Sequence, residues 1–169
     1  MTYGSASRPP APTCLPDVAA AMPPEDVLGE LLALDPAMTL QRYYGERAGF
    51  YNPGRAAPLG VIVGSVKDHD GPNDRQANLS RPDVYRLAFG LPRTTFVELF
   101  GDVPARPPKG GVVALPDHDL TALDQLMPHP IYAWMSWVQI LNPTTLDSLR
   151  DHLTSSLELA RDKWRRRRG

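Results

Sequence analysis

Cysteine is almost missing from this chain: Cys14 is the single one among 169 residues. It permits no internal disulfide and no cysteine-rich zinc site, so a reducing, cytoplasmic setting is the expectation. Long apolar runs are missing too. Nothing approaches the roughly 20 residues that a membrane-spanning helix needs, and the N-terminus has neither the basic nor the apolar stretch of a secretory signal. Neither a membrane span nor a cleaved leader is expected. The sequence has no Gly-rich phosphate loop, no G-x-S-x-G elbow, and no H-E-x-x-H or H-x-x-x-H spacing. Phosphoryl transfer, nucleophilic acyl transfer and zinc hydrolysis therefore lose their usual signatures, and no cofactor or metal is expected.

What is present suffices for one folded unit. The chain is 42% hydrophobic and 22% charged, a composition that buries a real core at this length. Proline is abundant, with 19 residues, and six of them (Pro9, Pro10, Pro12, Pro16, Pro23 and Pro24) crowd the first 24 positions without apolar periodicity. Residues 1–22 read as a disordered Pro-rich leader, and residues 23–166 as a single domain. Charge is segregated as well. Lys163, Arg165, Arg166, Arg167 and Arg168 are five of the 18 basic residues, and without them 13 basic face 19 acidic residues. An acidic body with a short basic end disfavours nucleic acid as the partner, and cations suit a helix C-terminus through its dipole.

Apolar periodicity predicts a helix over 24–34, from Val27, Leu28, Leu31 and Leu32. Extended segments follow at 38–44, 49–51 and 60–66, the last rich in β-branched residues. In 84–91, Tyr85, Leu87 and Phe89 alternate with Arg86 and Ala88, as in a strand with one face on the core. A short helix over 92–100 opens on Pro92 and stops at Gly101. A further short helix is expected over 119–126 and a last strand over 133–141. The proline- and glycine-free stretch 144–168 predicts a long closing helix whose stripe is Leu146, Leu149, Leu153, Leu157, Ala160 and Trp164. The fold class is α+β: an antiparallel sheet of about five strands flanked by N-terminal and long C-terminal helices.

Chemistry concentrates around Pro128-His129-Pro130-Ile131-Tyr132. Two prolines stiffen the backbone about an imidazole, which suits either a general acid or base or a histidine that locks a turn. In the catalytic reading His129 shuttles the proton, while Arg86 and Tyr132 position or polarise a substrate oxygen. Tyr51, Trp134, Trp137 and Asn142 complete the ligand-binding set, the aromatics lining a pocket for a flat molecule. The acidic segment Asp68-His69-Asp70-Gly71-Pro72-Asn73-Asp74 lacks the terminal Glu of a calcium loop and reads as a solvated loop.

Several segments together carry a resemblance: Gly49-Phe50-Tyr51-Asn52-Pro53, Arg81-Pro82-Asp83-Val84-Tyr85-Arg86-Leu87, Thr95-Phe96-Val97-Glu98-Leu99-Phe100-Gly101, and the block H-P-x-Y-A…W-V…L-N-P that starts at His129. Over about Glu25 to Arg161 the chain resembles a mainly actinobacterial family of domains of unknown function. In order of elements it is similar, more distantly, to MmcQ/YjbR-like domains, which implies a compact α+β sheet with flanking helices. The resemblance implies no particular reaction. Its family-typical positions fall on Tyr51, Arg86, His129, Tyr132, Trp137 and Asn142, and this chain departs from it at Trp134 and Met135. The expected function is that of a small-molecule-binding protein or a cofactor-independent acid–base enzyme of the cyclase or isomerase type. Its ligand would be aromatic or polyketide-like, in the setting of actinobacterial secondary metabolism. The competing expectation is a non-catalytic module that binds protein or nucleic acid through the basic end and a sheet face.

Overall fold

A computed structural model describes residues 19–169; Cys14 and most of the expected leader lie outside them. The elements run α1 (Pro24–Leu32), β1 (Met38–Tyr43), β2 (Glu46–Tyr51), β3 (Val61–Lys67), β4 (Arg86–Gly90), α2 (Arg93–Phe100), β5 (Met127–Pro128), β6 (Trp137–Leu141) and α3 (Arg150–Arg168). The strands form one antiparallel sheet in the order β1-β2-β3-β4-β6-β5. The architecture is thus the α+β sheet that the alternation implied, with a short N-terminal helix and a long C-terminal one.

Four local readings differ from the structure, each for a local reason. The sixth strand, β5, is two residues long and carries no periodicity to read. The segment 119–126 makes turns instead of a helix. There the Asp119 carboxylate takes the Thr121 amide at 3.0 Å, and Asp124 adopts a left-handed φ of 54°. Ala133–Met135 is a 3-10 turn closed by left-handed Ser136, so β6 starts only at Trp137. The closing helix starts only at Arg150, because Asp147–Leu149 winds as a 3-10 turn, while the Asp124 carboxylate holds the amide and the hydroxyl of Thr144 at 2.9 and 2.8 Å.

One face of the sheet is dry. Leu87 and Phe89 on β4, Val138 and Ile140 on β6 and Val66 on β3 meet Val27, Leu28 and Leu31 of α1 and Leu153, Leu157, Ala160 and Trp164 of α3. The predicted stripe of α3 is the buried one. Gly49 on β2 lets α1 approach closely, since a Cβ there would lie 3.0 Å from the Leu31 side chain. Opposite it, Gly64 pairs with Gly49 and Ile62 with Phe50, which leaves Val63 as the extra residue of a bulge. Its carbonyl accepts the buried Ser156 hydroxyl of α3 at 2.8 Å, so the bulge is anchored to the helix.

The other face carries no helix of its own. Loop residues Ala77, Leu79 and Val84 pack on Leu141. Antiparallel register arranges its side chains in rows. One row runs Gln41, Ala48, Ser65, Ala88, Gln139 and Met127, with small residues at its centre. The next places Lys67 beside Arg86 and Leu141, with Tyr43 and Glu46 closing the row at the β1–β2 hairpin. That hairpin turns through Tyr44 and Gly45, both with positive φ (47° and 78°), the mirror-image turn that suits the strand twist. Gly45 supplies the conformation cheaply, and Tyr44 is left 86% exposed at the tip.

Candidate functional site

The charged row becomes a buried ion cluster. Arg86 is fully buried on the central strand, and an unpaired guanidinium there would be prohibitively costly. Asp74 answers it with a bidentate pair: Nη1 donates to Oδ1 at 2.9 Å and Nη2 to Oδ2 at 2.6 Å. Lys67 Nζ donates to the same carboxylate at 2.8 Å. Glu46 completes the neutral set, 3.5 Å from Arg86 and 3.8 Å from Lys67, and its Oε2 accepts the Ser65 hydroxyl. Despite the desolvation that opposes it, the Arg86 and Lys67 cations hold Asp74 far below the usual carboxylate range. The segment read as a solvated loop therefore sends Asp74 into the interior. Among the described residues, no group of three or more His, Cys, Asp or Glu side chains is placed to hold a metal.

His129 sits beside this cluster, buried and rigid. Its backbone amide bonds Trp137 O at 3.0 Å and its carbonyl accepts the Ala133 amide at 3.1 Å. Its ring Nδ1 accepts two amides, those of Ile131 at 3.1 Å and Tyr132 at 3.2 Å. Burial first, and the Arg86 charge second, push its pKa well below the ordinary imidazole value, so the ring is neutral at pH 7. With Nδ1 an acceptor, the proton resides on Nε2.

A cavity of about 340 Å³ opens over this end of the face. Its walls are Tyr43 and Tyr44 of the hairpin, Glu46, Ile62 and Ser65 of the sheet, His129, Tyr132, Met135 and Trp137 of the 129–137 segment, and Lys163 of α3. The aromatic walls are tied together: the Tyr132 ring lies 4.9 Å from His129 and 6.4 Å from Trp137, edge-on to the latter. Gly90 gives Trp137 its seat, because a Cβ there would come within 3.1 Å of the indole nitrogen. Burial, with the Glu46 and Asp74 charges behind it, raises the Tyr132 phenol above its ordinary value.

Of the residues singled out in the sequence, His129, Tyr132 and Trp137 line this cavity together. Arg86 lies beneath it, committed to Asp74. Tyr51 faces the opposite side of the sheet, packing edge-on against Trp164 at 6.3 Å. Trp134 is thrown to the core side by the 3-10 turn and lies under Arg106, 4.6 Å from the ring centre. Asn142 is a brace, its side chain bonding the Tyr85 amide at 2.9 Å and the Asp83 carbonyl at 2.8 Å. Sequence reasoning passed over Glu46, Ile62, Ser65 and Lys163 as site residues, and Lys67 and Asp74 as Arg86's partners. One signal was available. An arginine in the middle of an apolar strand demands a buried carboxylate, and the acidic segment before it was the nearest source.

The chain matches, over residues 22–169, the family of unknown function DUF6194. It belongs to that family. No curated protein and no solved structure matches it significantly. Among the described residues, no helix of this DUF6194 member is long and apolar enough to cross a membrane.

Proposed function

We propose that this DUF6194 domain binds a small, flat organic molecule, of the aromatic or polyketide-like kind, in the cavity over the helix-free face. The observation that carries the reading is the cavity itself. Its volume of about 340 Å³ lies in the range of small-ligand sites. Apolar and aromatic walls (Ile62, Met135, Trp137, Tyr132) stand against a few polar groups of fixed orientation, the division of labour found in such sites. The ion cluster beneath is paired within itself, so it supports the floor without drawing in a counter-ion. His129 enters this reading as a hydrogen-bond donor through Nε2. Service as a proton shuttle would require the ring to give up two backbone amides at Nδ1. Binding requires no such change.

Isothermal titration of the full chain with bicyclic aromatic probes tests the reading. Ile62 is half-buried on the cavity wall, and Ile62→Trp fills the space. The expected result is micromolar-range binding of at least one probe, abolished in Ile62→Trp with the far-ultraviolet circular dichroism unchanged. Absence of binding by every probe, or equal binding by Ile62→Trp, would overturn it and move the assignment to a partner-binding module.

A further inference from the structure

The polar wall of the cavity is unbalanced in a way that names the ligand's charge. Glu46 is the one carboxylate on that wall, and it is already satisfied by the Ser65 hydroxyl on one oxygen and by Lys67 and Arg86 behind it. Nothing in that set seeks a cation. Lys163 is different: it projects from α3 to the same cavity, is exposed, and among the described residues has no carboxylate within 4 Å. Its neighbours on the helix are otherwise engaged, since Asp162 pairs with Arg165 and Glu158 with Arg161. His129 adds a second donor. The single lone pair of its Nδ1 is shared by two backbone amides, so the only ring position left for a ligand is the N–H at Nε2. The Tyr132 hydroxyl adds a third donor. A cavity with surplus donors, one unmatched ammonium and no unmatched carboxylate selects an acceptor-rich anion over an amine.

Resting on the binding reading above, we infer that the ligand is a flat aromatic acid. Its ring system stands against Trp137 and Ile62, and its carboxylate is met by the Lys163 ammonium and by donors from the His129–Tyr132 pair. The aromatic walls alone would equally attract a cation through their π-faces. Lys163 removes that option, because a second positive charge in the same small cavity is repelled.

Three probes that share one ring system separate the possibilities: 2-naphthoate, 2-naphthalenemethanol and 2-naphthylmethylammonium, titrated calorimetrically against the full chain. The expected result is that naphthoate binds about tenfold more tightly than the alcohol and that the ammonium binds most weakly. In Lys163→Gln the naphthoate-to-alcohol ratio should fall to about two, and in Lys163→Arg it should persist. Arg166→Gln, an exposed charge on the same helix, should leave the ratio at about ten, which separates a local contact from the general field of the basic helix end. Alcohol or ammonium binding as tightly as naphthoate, or an undiminished ratio in Lys163→Gln, would overturn the inference while leaving the cavity as a binding site. Failure of all three probes to bind would remove both.

Discussion

The two faces of this sheet solve the same problem with opposite materials. On the helix face, α1 and α3 lay apolar stripes on Leu87, Phe89, Val138 and Ile140, and water is excluded almost wholly by hydrocarbon. On the other face, loops cover a row of charges, and burial is made tolerable because Lys67, Arg86, Asp74 and Glu46 neutralise one another. The difference has a consequence for function. Close-packed aliphatic side chains leave no room, whereas the row of Ala48, Ser65 and Ala88 lies low on the sheet, and the cavity opens beside it. One face is filled, and the other keeps open space beside its charges.

Breaking the charged face should cost most. Asp74→Ala leaves Arg86 buried without its bidentate partner, and an uncompensated charge of this kind typically costs about 3–5 kcal/mol. Urea unfolding should show that loss directly, and a shift under 1 kcal/mol would mean that water reaches Arg86. Truncating the helix face should cost slightly less. Leu153→Ala, in the α3 stripe, is expected to destabilise by about 2–4 kcal/mol and to leave probe affinity within twofold, because the cavity lies across the sheet.

Acid should act on the loop face in two windows. His129 has a lowered pKa in the folded state, so below the unfolded value near 6.5 the unfolded chain binds more protons. Its contribution is complete above that value and is lost as the pH falls, at up to about 1.4 kcal/mol per pH unit. Asp74, also lowered when folded, adds stability above the ordinary carboxyl value of 3.8 that is lost as the pH falls toward its folded value. Denaturation midpoints at pH 7.5 and 5.5 isolate the first window, and His129→Asn should remove the difference between them. An equal slope in the variant would place the acid sensitivity elsewhere. The smallest effect belongs to the hairpin tip: Tyr44→Ser removes a ring that is 86% exposed, so stability should stay within about 0.5 kcal/mol while aromatic probe affinity weakens.

The helix face was readable from the chain because its information is periodic. The 3-4 spacing from Leu149 to Trp164 and the alternation of Tyr85, Leu87 and Phe89 each repeat over several turns or strand residues, and all of these side chains are buried. Segments whose shape depends on one hydrogen bond were not readable in this way. The Asp119 carboxylate takes the Thr121 amide where a helix was expected, and left-handed Ser136 converts an expected strand into a 3-10 turn. That turn also sorts the two tryptophans, sending Trp134 to the core and Trp137 to the cavity.

The sequence by itself determined the α+β class, the buried stripes and the rigid His129–Tyr132 segment, because each depends on residues close together along the chain and on the local stiffness of proline. Tertiary structure alone decided the site. Strand register sets Glu46, Lys67 and Arg86 in one row, a loop returns Asp74 to them, and α3 brings Lys163 to residues about a hundred positions away in sequence. Those proximities come from long-range pairing and from the need to neutralise a buried guanidinium. Neither leaves a periodic mark on the chain.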